Sequence, residues 1–313
     1  MALRIGKTAL LLAALLLLLA ARPSSSLSAE NTIGIIMTGD VPYYDDLHGA
    51  LMAKLRKEGI AGKTTVIMQK PYPDSISLSN AARKLIALDV DVIVVYGAPA
   101  ALAVVKEKTK IPMVYAAVYE PIISRVKSRY NTGVSVKLSI SSLLRYLKGL
   151  KPLTTLGVVY SSSEEDSVYQ FMELSKLAEP QGIKIEGINL KRHQEAKEKL
   201  ALKKMDGLLL TGSSAAHMAM NQVIEYAKEQ RIPYASFLLC RDSRIIVALT
   251  TNPAEQGEKA AEKVIKVLDG VPPEKIKPES SNEVELIFNL KESTAMGWKL
   301  PMDLVTEATR LIK

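Results

Sequence analysis

Cysteine is almost missing from this chain of 313 residues, where Cys240 stands alone. One cysteine cannot close an internal disulfide, so a chain of this size must rely on its apolar core. Cys240 itself is expected to be buried as a small hydrophobe. Histidine is scarce as well: His48 falls inside the first helical segment, His193 in a Lys/Glu-rich stretch, and His217 near the start of a later helix, where a structural role is expected. No paired His, Cys or Asp spacing of a metal site accompanies them, so no metal or other cofactor is expected. The serines of VVYSSSEEDS (158–167) lack both glycines of a G-x-S-x-G elbow, and no catalytic residue is assigned. AGKTT (61–65) echoes the end of a phosphate loop, but Lys57 stands where the first glycine belongs and the segment precedes a strand instead of following one, which argues against ATP binding.

A strong excess of one charge is also lacking. The formal net charge is +8, and three of the bases, Arg4, Lys7 and Arg22, sit in the first 29 residues. The remainder interleave with acids, as in KRHQEAKEKLALKK (191–204), which reads as a solvated helix face and not as a nucleic-acid surface. What the N-terminus does have is an apolar run from Ala9 to Ala21, followed by Pro23 and a serine-rich stretch. That is the pattern of a secretory signal peptide over residues 1–29, with small residues from Ser26 to Ala29 for cleavage. The run falls short of the roughly 20 apolar residues of a comfortable membrane span. An uncleaved anchor is the alternative. No cysteine stands near the end of the run, which excludes a lipid-modified N-terminal cysteine, and no later segment is long and apolar enough to span. A periplasmic or other extracytoplasmic location follows.

From Thr32 onward, near-continuous apolar runs alternate with amphipathic helical segments. TIGIIMTG (32–39), TTVIMQ (64–69), DVIVVYG (91–97) and PMVYAAV (112–118) form a first series. A polar, turn-prone stretch, SRYNTGVSVK (128–137), reads as a break. A second series follows with LGVVYS (156–161), KIEGINL (184–190), DGLLLTG (206–212), PYASFLL (233–239) and IIVALTT (245–251), and VELIFNL (284–290) comes late. Strands apolar on both faces belong to parallel sheets covered by helices. The fold class is α/β, as two doubly wound parallel-sheet lobes. A closed eight-stranded barrel is the alternative, disfavoured by the restart and the extra strand.

Ligands of such sheets bind in the crevice at the carboxyl ends of the strands. The strand exits therefore supply the candidate ligand-binding residues. Asp40 and Glu120 could face an ammonium group. Tyr43, Tyr44 and Tyr119 could pack flat on a ligand and still donate a hydrogen bond. The helix starts after Gly97 (with Ala98 and Pro99) and after Gly212 (with Ser213) carry no acid in their first turns and could receive a carboxylate. Asn252 sits at a late exit. In YSSSEEDS, Ser162 and Glu165 have the S-x-x-E spacing of a capping box, and the acids close that helix start to anions. Ser161 and Ser163 remain as hydroxyl donors.

In order and spacing, VYGAPAALAVVKEKTKIPMVYAAVYEP (95–121), LGVVYSSSEEDS (156–167), PAEQGEKAAEKVIKVLDGVPPEKI (253–276) and VELIFNLKESTAMGWKLP (284–301) resemble substrate-binding proteins of ABC transporters, in the tryptophan/tyrosine-type group with the type I periplasmic-binding fold. The resemblance covers nearly the whole chain beyond the leader. It implies two lobes joined by a three-crossover hinge, near Thr132–Val136, Thr251–Pro253 and Pro278–Val284. Residues 30–133 and 252–280 would form lobe 1, and 134–251 and 281–313 lobe 2. It also implies a monomeric, non-catalytic receptor that passes a small ligand, favoured as an amino acid or related zwitterion, to a membrane permease. The chain departs from the family at Tyr119-Glu120-Pro121, where members usually carry an acid in a form like TDP, at Thr211-Gly212-Ser213-Ser214, and at Asn252. A sensor module feeding a membrane kinase or chemoreceptor fits the sequence as well, and a secreted β/α enzyme fits it less well.

Overall fold

The computed structural model describes residues 31–239, 244–281 and 283–313. The expectations for the leader and for Cys240 lie outside the described residues. The elements run β1 (Asn31–Met37), α1 (Pro42–Lys57), β2 (Thr64–Gln69), α2 (Ser75–Ala87), β3 (Val92–Tyr96), α3 (Ala98–Lys106), β4 (Met113–Tyr119) and β5 (Asn131–Val136). They continue with α4 (Ile140–Leu150), β6 (Thr155–Tyr160), α5 (Glu165–Ala178), β7 (Lys184–Asn189), α6 (Ala196–Ala201), β8 (Gly207–Leu210), α7 (Ser214–Met218), α8 (Met220–Gln230), β9 (Tyr234–Ser236) and β10 (Val247–Thr251). The chain ends with α9 (Pro253–Leu268), β11 (Glu279–Ser280), β12 (Val284–Asn289), α10 (Leu290–Ala295), α11 (Met302–Thr306) and β13 (Arg310–Ile312).

These strands build two open sheets, in the orders β11-β5-β4-β3-β1-β2 and β13-β12-β10-β9-β8-β6-β7. The pairings are parallel except for β10 with β12. The barrel alternative is excluded. On the first sheet, Leu78, Ala82 and Leu85 of α2 pack with Ala100, Ala101 and Val104 of α3 on one face. Leu47, Leu51 and Leu55 of α1 pack with Ala260, Ala261 and Val264 of α9 on the other. Burial of apolar stripes on both faces is what lets β3 and β4 be buried along their whole length.

The chain passes between the sheets three times: from β5 into α4, from β10 into α9, and from β11 into β12. SRYNTGVSVK is not a break, because its second half is β5, paired with β4. The polar residues escaped a pattern reading based on apolarity, yet their side chains are satisfied by backbone carbonyls. Asn131 Nδ2 donates to Val126 O (2.6 Å), Thr132 Oγ1 to Ile276 O (2.8 Å) and Ser135 Oγ to Glu279 O (3.1 Å). Burying such groups costs little once each has a partner. In the second sheet β9 is shorter than the apolar run PYASFLL, since only Tyr234–Ser236 pairs with its neighbours.

Candidate functional site

The strand exits of the two sheets meet across a cleft. Contacts among the described residues span it: the Tyr119 and Tyr169 rings lie 6.1 Å apart, Arg125 Nε is 3.6 Å from Glu165 Oε2, His193 N donates to the Tyr72 hydroxyl at 3.0 Å, and Gly39 abuts the Met218 thioether. Beside them a groove of about 360 Å³ runs along α2 and α3, with Ala98, Pro99 and Ser124 on one side and Ser163 and Glu165 on the other.

The second lobe's wall is organised by Glu164. α5 begins at Glu165, and its cap position, Glu164, makes no capping bond to its own helix. The Glu164 carboxylate instead reaches α7, accepting from Ser213 Oγ (2.6 Å), Ser214 N (2.8 Å) and Ala215 N (3.1 Å). Burial raises its pKa, and these donors oppose the rise. Two sequence readings are corrected here. Ser162 and Glu165 form no capping box: Ser162 lies too far ahead of the first helical turn, and it exchanges bonds with Asn189 through its backbone N (2.9 Å) and its hydroxyl (3.0 Å). The N–H groups of the helix start after Gly212 are not free, because an acid distant in sequence has taken them.

Asp166, two residues further on in the first turn of α5, is 5% exposed. Its Oδ1 is buried without a hydrogen-bond partner among the described residues. Burial, and next to it the charge of Glu164, pushes its pKa up to about 7, against the opposing effect of hydrogen bonds from the Ser167 and Asp166 backbone N–H groups. The carboxylate lies close enough to Tyr44 and Tyr119 of the first lobe to help raise both phenols, on top of the larger effect of their own burial. Asp166 was read from the sequence only as one of three acids suited to a helix dipole.

The sequence-derived candidates scatter around this centre. Tyr44 is buried, with its hydroxyl above Gly97, where an added Cβ would come within 2.6 Å of it. Gly97 holds φ +86, a conformation in which a side chain is strained, so the residue fits both the turn and the overlying phenol. The start of α3, with buried Ala98 and half-buried Pro99, therefore sits under Tyr44. Tyr119 lines the cleft opposite Tyr169. Ser161 is buried and accepts from Ser163 N at 3.3 Å, while Ser163 is exposed at the groove. Gly212 N donates to Gln170 Oε1 at 2.7 Å, and Ser213 holds Glu164.

The rest lie away from it. Asp40 is exposed, 4.0 Å from Lys70 Nζ. Glu120, at φ +40, pairs with Lys137 at 3.7 Å on the rim. Tyr43 bonds to Thr251 through its hydroxyl, 2.8 Å from Oγ1 and 3.1 Å from the carbonyl, at a crossing between lobes. Asn252 caps α9, accepting from Ala254 N (2.9 Å) and Glu255 N (3.4 Å). His217 is structural: it bonds Ser213 O and Ser236 Oγ, each at 2.8 Å, and burial lowers its pKa to about 4. Among the described residues no group of His, Cys, Asp and Glu could hold a metal ion, and no helix is long and apolar enough to cross a membrane.

The chain matches the family model of the ABC transporter substrate binding protein over residues 33–312. None of the curated proteins matches it. Among solved structures it superposes on a Streptococcus pneumonia protein, described as an ABC domain in complex with L-Trp, with a TM-score of 0.83 and 20% identity over 90% of this chain and 99% of that one. A conserved domain protein from Vibrio cholerae gives a TM-score of 0.84 and 19% identity over the same shares, 90% and 99%. A Bacillus halodurans solute-binding protein with bound myo-inositol gives 0.63 and 11%, over 88% of this chain and 99% of that one. At these identities the structural likeness speaks for the type I periplasmic-binding fold and leaves ligand chemistry open.

Proposed function

The chain belongs to the ABC transporter substrate-binding protein family, and from that premise we propose that it closes on a small ligand bearing a cationic nitrogen and hands it to a membrane permease. Amino acids and related zwitterions are the favoured members of that class. The protein works outside the cytoplasm, after export by its leader.

The observation that carries this reading is the buried Oδ1 of Asp166, which has no hydrogen-bond partner among the described residues. A buried carboxylate with one oxygen left without a donor costs free energy, and the cost is met either by protonation or by a cation. Among the described residues no lysine or arginine is paired with Asp166: Arg125 is bound to Glu165 and Lys137 to Glu120, both with largely exposed side chains. A ligand ammonium against Asp166, under the rings of Tyr44 and Tyr119, would do so and gain from the aromatic faces as well. Binding between lobes would bury the ligand by hinge closure.

The test is mass spectrometry of small molecules released by denaturing the purified protein, followed by calorimetry with the compound found. Recovery of an amine or amino acid that binds the refolded protein supports the reading. Recovery of a neutral sugar or polyol that binds equally well to the Asp166→Asn variant would refute it.

A further inference from the structure

β4 does not run straight to the cleft. It pairs with β5 as Met113↔Asn131, Val114↔Thr132 and Tyr115↔Gly133, and then resumes as Val118↔Ser135 and Tyr119↔Val136. Between these pairs β4 spends one residue more than its partner, which defines a β-bulge. Ala117 sits inside the bulge at φ +55, a conformation that costs a non-glycine residue free energy.

The extra residue changes which face each later side chain occupies. Met113, Tyr115 and Val118 pack with α2 and α3, whereas Val114, Ala116, Ala117 and Tyr119 pack with the opposite core. Strict alternation would have placed Tyr119 on the same face as Tyr115. The bulge thus delivers the Tyr119 ring to Tyr169 across the cleft.

What holds the bulge is Gln256, in the first turn of α9 and fully buried. Its Oε1 accepts from Ala117 N (3.0 Å), and its Nε2 donates to Ser135 O (3.3 Å) on the neighbouring strand. The amide so bridges the two strands where their ladder is interrupted. Its own position is fixed by the next residue, Gly257, whose missing side chain lets α9 lie directly on the backbone of α1 at Leu47 and Leu51.

We infer that Gln256 is a positioning residue of the ligand site: it touches no ligand, and it sets the cleft wall by locking the β4 bulge that aims Tyr119 at the second lobe. This deepens the proposed function, since it concerns the same cleft, but its central test needs no ligand. The full chain is prepared with 3-fluorotyrosine, and the Tyr119 resonance is assigned by its loss in Tyr119→Phe. In the otherwise unaltered protein, Tyr169→Leu should shift that resonance. In Gln256→Leu the Tyr119 resonance should move, and its response to Tyr169→Leu should be lost. Adding Ala117→Gly should restore both, because glycine holds the left-handed conformation without a side-chain amide to pin it; a general packing role for Gln256 would not be rescued this way.

A folded Gln256→Leu protein that keeps the Tyr119–Tyr169 response overturns the inference. If Gln256→Leu alone fails to fold, the Ala117→Gly/Gln256→Leu protein decides the matter: a folded double variant with the native response supports the inference, and one that stays unfolded or lacks the response overturns it. A second arm uses L-tryptophan as probe in calorimetry, with affinity expected to fall about tenfold in Gln256→Leu, the scale of one buried hydrogen bond. Failure of L-tryptophan to bind the unaltered protein would count against that choice of ligand, and the fluorine response would still decide the role of Gln256.

Discussion

At the scale of single residues, the molecule's chemistry is concentrated in two acids two positions apart. Glu164 and Asp166 look alike in sequence and end in opposite situations. Glu164 has three donors, and Asp166 has an oxygen with none. The folded Asp166 pKa of about 7 lies above the 3.8 of an ordinary aspartate. A raised carboxylate pKa means the folded state binds the proton more tightly than the unfolded chain does. Its contribution to stability is therefore fully favourable below pH 4, is lost as pH rises towards 7, and is unfavourable above that. Asp166→Asn should remove this slope, raising the ligand-free melting temperature at pH 8 and leaving it little changed at pH 4. Melts recorded across that range check the sign. The same substitution should weaken amine binding by about tenfold or more, because it removes the charge and leaves the polar contact. In the unaltered protein, amine affinity should fall as pH drops below 7, with proton release on binding at pH 6, which calorimetry in buffers of different ionisation enthalpy measures.

At the scale of elements, the short helix α7 depends on a side chain from another helix. Its first N–H groups would otherwise end in a buried wall with Ser213 alone as cap, through the Ala216 N to Ser213 Oγ bond at 3.1 Å. Glu164→Ala should leave Ser214 N and Ala215 N buried without acceptors and cost about 2–4 kcal/mol in urea unfolding, whereas Glu164→Gln should cost about half as much, because one acceptor oxygen remains. Sequence spacing could not reveal this arrangement. The capping box is a local rule, and it names the partner three residues on; the actual partner is about fifty positions away, brought near because β6 and β8 are neighbours in the sheet. Gly257 shows the same limit from the other side. Nothing in its own helix asks for a glycine, and the reason appears only when α1 is laid against it.

At the scale of the whole molecule, three crossings join the two sheets, and the third is stapled to α9. Lys263, 2% exposed, donates to Glu279 Oε1 (2.5 Å) and Lys277 O (3.0 Å). Glu255 bonds the Ser281 hydroxyl just beyond. A buried lysine of this kind resists removal of its partner more than its own replacement by an apolar side chain of similar length. Lys263→Met should therefore leave the fold intact and loosen residues 277–281, seen as faster amide exchange there, and Glu279→Ala should cost more stability than Lys263→Met in the same urea titration. Equal costs would argue against a staple.

The sequence by itself determined the α/β class, the two doubly wound sheets and the family, because strand runs buried on both faces and the order of the segments are one-dimensional signals. It also placed Tyr44 and Tyr119 at strand exits that come together. It could not distinguish Asp166 from Glu164 and Glu165, since burial and partner count differ only after folding. It read β5 as a break, because polar side chains satisfied by distant carbonyls look like a turn. It missed Gln256, whose partners Ala117 and Ser135 lie well over a hundred positions away. Only the tertiary structure decided which acid keeps a buried oxygen without a donor and which way Tyr119 faces: both follow from packing between segments far apart in the chain, and local propensity carries no record of that packing.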